Sequence, residues 1–296
     1  MRYTVVTSTL CFVACGDGSP GPFAQTYPPT GVTKTIELRA QDVEWEVGAG
    51  AIYQAWTYNG TVPGPTIEAM AGDKIVINLR NETTHPVSVH THVVEFSQDQ
   101  DGADLPSIAM PGQTISVEWQ ASFAGAFPYH DHAGEGEGVS RGLYGALVVR
   151  APDEAPASEH LVVLGDFATK FFKQLPGVAD PVTGMISMVG TYKGPHQYMH
   201  AINGKAYEEA IPAFTGKVGE LSRWRVISIG EEQHTWHIHG HRWLDGDGRL
   251  TDNIQLAPGM YRSFEFMEDR VGDWLVHCHF PNHMGGGMMA RYRVAP

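Results

Sequence analysis

The chain has 296 residues, 42% of them hydrophobic and 18% charged, which is the balance of a globular protein of one or two domains. Its formal net charge is −13, and no cluster of lysine and arginine interrupts that acidity. Nucleic acids and anionic membranes attract clustered basic residues, so the composition argues against both as partners.

The N-terminus predicts a secretion leader. MRYTVVTSTLCFVACGDG contains one arginine, a short apolar stretch and then Phe-Val-Ala-Cys, which is typical of a bacterial lipoprotein signal with Cys15 as the lipidated residue. An ordinary signal peptide or a disordered leader remains an alternative. Residues 1–29 are therefore assigned to a leader and tether, and we expect an extracytoplasmic protein. Cys278 would then be the only free thiol of the mature chain.

Residues 30–150 carry strand signals and two histidine pairs. An Asn-Gly turn at residues 59–60 is followed by KIVINL and VSVHTH, short alternating runs rich in β-branched residues. The two His-x-His pairs are His90/His92 and His130/His132.

The same pattern recurs in residues 160–296, after a Pro/Ala/acidic stretch at 151–159 that is suited to a linker. Another Asn-Gly turn at 203–204 precedes the runs LSRWRVISI and HTWHIHGH. The two pairs here are His237/His239 and His277/His279, and the offsets 237 − 90 and 279 − 132 are both 147. A repeat of this kind indicates a duplicated domain. Long helical periods are scarce, so the sequence predicts an all-β fold of two Greek-key β-sandwiches.

The last histidine pair flanks the internal cysteine. In a strand, residues i and i+2 share a face and i+1 points the other way. His277 and His279 should therefore project together, and Cys278 should project to the opposite side. One strand would then supply ligands to two separate metal sites.

The cysteine side predicts a site with two imidazoles, a thiolate and a thioether. His234, Cys278, His283 and Met288 supply these groups. A His₂Cys set with a weak axial methionine is typical of a blue-copper centre. Structural zinc is the competing interpretation, but such sites normally use more thiolates.

The first half lacks an equivalent site. The positions 147 residues before the four ligands are Val87, Asp131, Gly136 and Arg141, which could not hold such a copper. Asp131 lies between two histidines of a strand, so its side chain should point away from them and have a structural role.

The histidine side offers eight imidazoles in four matched pairs, which is too many for one ion. Neutral imidazole is a good copper ligand, so several copper ions could share them. The motifs HTWHIHGH and HCHFPNHMGGGM, with VHTH and YHDH in the first half, resemble the four copper motifs of multicopper oxidases. With only two cupredoxin-like domains, the chain is most similar to the two-domain bacterial small laccases.

The resemblance implies four copper ions per protomer. The type 1 copper would be held by His234, Cys278, His283 and Met288, and the type 2 copper by His90 and His237. The two type 3 coppers would be held by His92, His130 and His279, and by His132, His239 and His277. His241 is expected either to support a metal ligand from behind or to be a packing residue.

The resemblance also implies a reaction. Phenolic or aromatic reductants would lose single electrons at the type 1 copper, and O₂ would be reduced to water at the three-copper cluster. His283 is the expected electron entry point and Cys278 the link to the cluster. We predict that Asp101, in the Asp-Gly turn after the first histidine pair, relays protons; a solvated acidic turn is the alternative. The resemblance further implies a homotrimer in which neighbouring chains share each cluster.

Other functions stay open. MISMVGTYKGPHQYMH places Met185, Met188, His196, Met199 and His200 close together, which could mark a Cu(I) or Fe(II) oxidase, although methionines more often fill a core. A copper nitrite reductase would need its blue site in the first domain and only three histidines at the catalytic copper. A non-enzymatic electron carrier or copper-storage protein would account for the blue site but would leave the eight histidines without a function.

Overall fold

The computed structural model describes residues 25–134, 136–174 and 198–296. Cys11, Cys15, Met185, Met188 and His196 lie outside these ranges. The described residues form strands with two short α-helices, α1 (Glu137–Arg141) and α2 (Pro281–Gly285). The predicted all-β fold is confirmed.

The first half of the chain forms two main sheets. Its strands are β1 (Thr33–Gly48), β2 (Ala51–Tyr58), β3 (Ile67–Met70), β4 (Lys74–Asn81), β5 (Val87–Ser88), β6 (His90–Thr91), β7 (Ile108–Ala109), β8 (Thr114–Gln120), β9 (Gly125–His130) and β10 (Tyr144–Arg150). One sheet contains β2-β1-β4-β8 and the other β3-β10-β9-β6. The second of these sheets ends in the strands that carry the first two histidine pairs.

The second half repeats this arrangement. Its strands are β11 (Ser158–Ala168), β12 (Phe172–Gln174), β13 (Tyr198–Ile202), β14 (Phe214–Lys217), β15 (Leu221–Ser228), β16 (His234–Ile238), β17 (Trp243–Leu244), β18 (Leu250–Thr251), β19 (Asn253–Leu256), β20 (Tyr261–Met267), β21 (Gly272–His277) and β22 (Met289–Ala295). The two main sheets are β13-β11-β15-β20 and β14-β22-β21-β16-β19.

Equivalent strands pair in the same sense in both halves. The parallel pair β1–β4 corresponds to β11–β15, and the parallel pair β3–β10 to β14–β22. The antiparallel pairs that bring the histidines together, β6–β9 and β16–β21, also correspond. The duplication read from histidine spacing is therefore repeated in the strand pairing.

Three apolar clusters fill the interior. One is built around Trp119 in the first half, and a second around Trp224 and Trp236 in the second. The third combines residues of both halves, such as Tyr53 and Phe167, whose ring centroids lie 4.7 Å apart in an edge-to-face contact. Each such fully buried side chain contributes roughly 1.5–3 kcal/mol, so the third cluster holds the halves together.

The strand β12 departs from the predicted division of the chain. It follows the 151–159 segment in sequence, yet it pairs with β2 and completes a sheet of the first half. The cause is local, because Phe172 contacts the buried Tyr53 ring at a centroid distance of 4.8 Å. Among the described residues, no helix has the length and apolarity needed to cross a membrane.

Candidate metal centres

Strand β21 and the residues after it present candidate ligands to two sides, which is the orientation expected of alternating strand residues. The His277 and His279 rings face the same group, with centroids 5.4 Å apart and each within 5.3 Å of His237. Cys278 is fully buried on the other side, where its Sγ accepts a hydrogen bond from the Thr235 amide at 3.3 Å.

The first candidate centre surrounds that sulfur. Its Sγ lies 3.6 Å from Nδ1 of His283, and Nδ1 of His283 lies 3.2 Å from Nδ1 of His234. Met288 is fully buried, and its carbonyl accepts the Cys278 amide hydrogen bond. The short helix α2 begins with Pro281, which suits a first helical position, and carries His283 toward the sulfur. This donor set fits copper.

The electrostatics of this centre favour a thiolate. Burial would raise the pKa of Cys278, but His234 and the backbone amide of Thr235 outweigh burial and lower it. Burial would lower the pKa of His234, but the adjacent Asp166 carboxylate reverses this and raises the pKa to about 9. A thiolate beside imidazoles is the form that binds a metal ion.

Three polar residues lie behind the two imidazoles: Asp166, His200 and Glu232. We call them the carboxylate bridge. Asp166 Oδ1 accepts a hydrogen bond from His200 Nδ1 at 2.8 Å and lies 3.2 Å from His234 Nε2. Glu232 Oε2 lies 3.0 Å from His283 Nε2 and 3.4 Å from His200 Nε2.

Sequence reasoning missed Asp166 and Glu232 and weighed His200 only as part of a methionine-rich stretch. A signal existed for Asp166, since it is one carboxylate within the apolar run LVVLGDFA of β11. Burial would raise the pKa of Asp166, but the charge of His234 and the hydrogen bond from His200 hold it well below its usual range.

The second candidate centre is a pair of half-sites, one in each half of the chain. In the first, His90 pairs with His130 across β6 and β9, and His92 Nε2 lies 3.3 Å from His130 Nε2. The His132 ring lies 5.3 Å from that of His90. Burial, followed by neighbouring imidazoles, lowers the pKa of His92, and burial lowers that of His130 to about 4, so both are neutral near pH 7.

Asp101 lies against the first half-site. His90 Nδ1 is 2.8 Å from the Asp101 carbonyl oxygen and 3.0 Å from its Oδ1. These contacts occupy Nδ1 of His90, so Nε2 is the nitrogen of that ring that can bind a metal ion. The turn needs glycine at Gly102, where φ is +86° and a Cβ would lie 2.9 Å from the Val89 carbonyl oxygen.

The second half-site matches the first. His237 pairs with His277 across β16 and β21, and His239 Nε2 lies 3.0 Å from His277 Nε2. His237 Nδ1 donates to the Asp252 carbonyl at 2.7 Å. The contact is equivalent to that of His90 Nδ1 with the Asp101 carbonyl. Asp252 had no signal in the sequence, because the contact is made by its backbone.

The two half-sites remain separate in one chain. Among the described residues, the three-ligand groups are drawn from one half at a time: His90, His92 and His130, or His237, His239 and His277. The ring contacts of these histidines likewise stay within each half.

Two predicted supporting roles are confirmed. Asp131 points away from the histidines on either side, and its Oδ1 accepts the Ser88 amide at 2.7 Å. His241 is buried, with Nδ1 donating to the His239 carbonyl at 2.7 Å and Nε2 3.0 Å from Glu268 Oε1.

Comparisons with known proteins agree with this architecture. Two family models, both described as multicopper oxidase, match residues 39–154 and 182–296. A crystal structure of a multicopper oxidase superposes with a TM-score of 0.76 at 25% identity, covering 92% of this chain and 93% of that one.

Two curated proteins are similar over most of the chain. The probable nitrite reductase-hydroxylamine oxidoreductase fusion protein of Kuenenia stuttgartiensis is 31% identical over 288 residues, 88% of this chain and 31% of that protein. Ceruloplasmin of Homo sapiens is 28% identical over 261 residues, 78% of this chain and 23% of that protein. The chain thus spans less than a third of the length of either relative.

Proposed function

The chain belongs to the multicopper oxidase family, and from that premise we propose that it is a laccase-type oxidase. It would couple the one-electron oxidation of phenolic or aromatic reductants to the four-electron reduction of O₂ to water. One observation carries the proposal: Cys278 faces one ligand set while His277 and His279 face another. The backbone between them is a covalent connection between an electron-accepting centre and a separate catalytic centre.

We assign four copper ions to each chain. His234, Cys278, His283 and Met288 would hold type 1 copper, and His90 with His237 type 2 copper. His92, His130 and His279 would hold one type 3 copper, and His132, His239 and His277 the other. When bound, copper supplies one-electron redox chemistry and the capacity to reduce O₂. The sulfur donor and the neutral imidazoles described above suit this metal better than zinc.

The chain's own residues prepare both centres. Asp101 fixes the His90 ring through Nδ1, and its carboxylate, about a third exposed, can exchange a proton with solvent. We propose that Asp101 delivers protons during water formation. Asp252 orients His237 from the opposite half through its carbonyl group.

A homotrimer is the assembly we propose, because neither half-site is complete alone. Exposed apolar side chains occur in both halves of the chain: Val93 and Leu105 in the first, and Leu244 and Leu250 in the second. A head-to-tail contact between such surfaces closes into a ring when the rotation allows it. Each cluster would then lie between the first half of one chain and the second half of the next. The extracytoplasmic location and the lipid anchor at Cys15 are also proposals.

Oxygen consumption and metal content test the oxidase proposal. Copper-loaded protein should contain four coppers per chain and consume one O₂ for every four electrons taken from a phenol. The variant His132→Ala should keep the blue absorption but stop O₂ reduction. A single metal ion per chain, or zinc in place of copper, would contradict the assignment.

Oxidation of a metal ion, Cu(I) or Fe(II), is the second candidate, and the carboxylate bridge favours it. Asp166, His200 and Glu232 place three ligand atoms within 4.8 Å of one another beside His283. His200 Nε2 and Glu232 Oε2 are buried and lie 3.4 Å apart, and Glu232 Oε2 also lies 3.0 Å from His283 Nε2. A cation could bind between the Glu232 carboxylate and His200, whereas a bulky phenol would not reach these buried atoms.

Substrate comparison separates the two candidates. Glu232→Gln should reduce turnover of Fe(II) or Cu(I) at least about tenfold if a cation binds there, since a charged ligand is lost. Turnover of a bulky phenol should fall much less, because Glu232 contacts His283 but would not bind the phenol. Glu118→Gln, at an exposed carboxylate of the first half, is the control. Equal effects of Glu232→Gln on phenol and metal ions would remove the support for a metal-ion oxidase.

A copper nitrite reductase is the less favoured alternative. The Kuenenia relative carries that activity in its name. Here, however, the sulfur ligand lies in the second half, and both half-sites contain four histidines. Nitrite reduction by the copper-loaded protein, without O₂ consumption, would favour this alternative.

A further inference from the structure

Asp166 occupies an unusual position in the interior of the second half. It is 2% exposed, and its Oδ2 accepts hydrogen bonds from the amides of Glu231 and Glu232 at 3.1 and 3.0 Å. Its Oδ1 accepts the His200 Nδ1 hydrogen bond and lies 3.2 Å from His234 Nε2. Three donors and a nearby imidazole stabilise an ionised carboxylate, which could not otherwise be buried here.

Asp166 is linked to the second imidazole through His200. The His200 ring stacks on that of His283, with centroids 3.8 Å apart and an interplanar angle of 23°. Glu232 contacts the outer nitrogen of both rings. The bridge therefore runs from the outer nitrogen of His234 to that of His283, behind the face that carries the metal-binding Nδ1 atoms.

Two glycines make room for the carboxylate bridge. A Cβ on Gly230 would lie 2.6 Å from Asp166 Oδ2, and a Cβ on Gly286 would lie 2.9 Å from His200 Cδ2. Gly230 also has a φ of +134°, which disfavours other residues. The local chain is therefore built to fit Asp166 and His200 against the ligand imidazoles.

We propose that Asp166 is a positioning residue that holds His234 and, through His200, His283, and that its charge lowers the reduction potential of the type 1 copper. This inference rests on the proposed type 1 site. The charge is buried, so solvent screens it weakly, and adding an electron to a nearby copper is disfavoured. A carboxylate next to the outer nitrogen also makes the imidazole a stronger donor, which favours the oxidised metal. Both effects lower the potential.

The midpoint potential of the copper-loaded full-length protein tests the proposal. In Asp166→Asn the blue absorption should persist, while the equilibrium with a redox mediator shifts toward the reduced form at least about tenfold, or about 59 mV for one electron. Asp73→Asn is the matched control, because Asp73 is also 2% exposed and accepts a backbone hydrogen bond, from Met70, in the first half. Its potential should equal that of the wild type.

His200→Phe gives a second test that does not depend on the folding of Asp166→Asn. Phenylalanine keeps a ring against His283 but removes the Nδ1 donor that hydrogen-bonds to Asp166 Oδ1. More of the negative charge of Asp166 then acts on His234. The potential should then fall. A role in packing alone predicts no such opposite shifts. Unchanged potential in both variants would overturn the inference, whereas wild-type protein that binds copper without any blue absorption would instead overturn the proposed type 1 site.

Discussion

Cys278 is the residue on which the two-centre arrangement depends most directly. Its sulfur is the only thiolate available among the described residues. Cys278→Ser should abolish the intense blue absorption, because a hydroxyl does not replace the copper–thiolate bond. The half-site histidines stay in place, so the variant should still bind the other three coppers, which a copper assay would count. Met284→Leu, at a nearby methionine outside the ligand set, should remain blue; a blue Cys278→Ser protein would refute the assignment.

Tyr292 supports the second half-site through Glu268 and His241. Its hydroxyl donates to Glu268 Oε2 at 2.7 Å, and the other oxygen of Glu268 contacts His241, which holds the His239 carbonyl. Tyr292→Phe leaves a buried carboxylate oxygen without its donor, so the free energy of unfolding should fall by about 1–3 kcal/mol. Urea unfolding measures this change. Tyr261→Phe, at a half-buried ring, should cost less, and equal costs would contradict the role given to the Glu268 contact.

At the scale of single residues, the sequence indicated the candidate ligands better than the residues that contact and orient them. The His-x-His spacing identified candidate ligands such as His90 and His277, because alternate residues of a strand project from the same face. Asp101 was found through its Asp-Gly turn, and it does contact His90. Asp252 and Glu232 were missed because a backbone carbonyl contact and a tertiary contact leave no periodic pattern in the chain.

Among the elements, β21 was predictable and β12 was not. The alternation of side chains along β21 follows from strand geometry alone, so its two-sided ligand set could be read in advance. β12 has three residues and joins the edge strand β2 of the other half through backbone hydrogen bonds. Backbone pairing of this kind does not depend on particular side chains. The sequence FKQ therefore contains no pattern that predicts the strand.

An ion-pair network links β11 to β15 at the point where the segment between the halves ends. Glu159 contacts Arg223 at 2.6 Å and Arg225 at 3.1 Å, and both arginines are almost fully buried. Partial burial would raise the pKa of Glu159, but hydrogen bonds and charge from these arginines outweigh burial and lower it. Its folded pKa thus lies below its unfolded value.

This shift predicts a pH dependence of stability. A carboxyl group with a depressed folded pKa stabilises the protein fully above its unfolded pKa, about 4.3, and loses that effect as the pH falls through the folded value. Glu159→Gln should therefore be less stable than the wild type at pH 7, and the difference should shrink below about pH 4. Urea unfolding at several pH values measures it. Glu118→Gln should show little difference at pH 7, and a constant Glu159→Gln deficit down to pH 3 would contradict the ion-pair explanation.

For the whole molecule, the duplication was predictable but the packing between the copies was not. The offset of 147 residues is repeated in equivalent strand pairs. The cluster that joins Tyr53 to Phe167 depends on which faces meet, and apolar alternation does not specify a partner face. The separation of the half-sites follows from that packing and was predicted only through the family resemblance.

Sharing of clusters between chains can be tested by mixing two inactive variants. His92→Ala disables the first half-site, and His239→Ala disables the second. The two variants are mixed in equal amounts and reassembled. If neighbouring chains share each cluster, about one interface in four then combines an intact first half with an intact second half. About a quarter of the wild-type O₂ reduction should therefore return. If each cluster formed within one chain, no mixture would recover activity. Mixing His92→Ala with His132→Ala is the control: both damage the same half-site, so the shared arrangement predicts no recovery there, and recovery would contradict it.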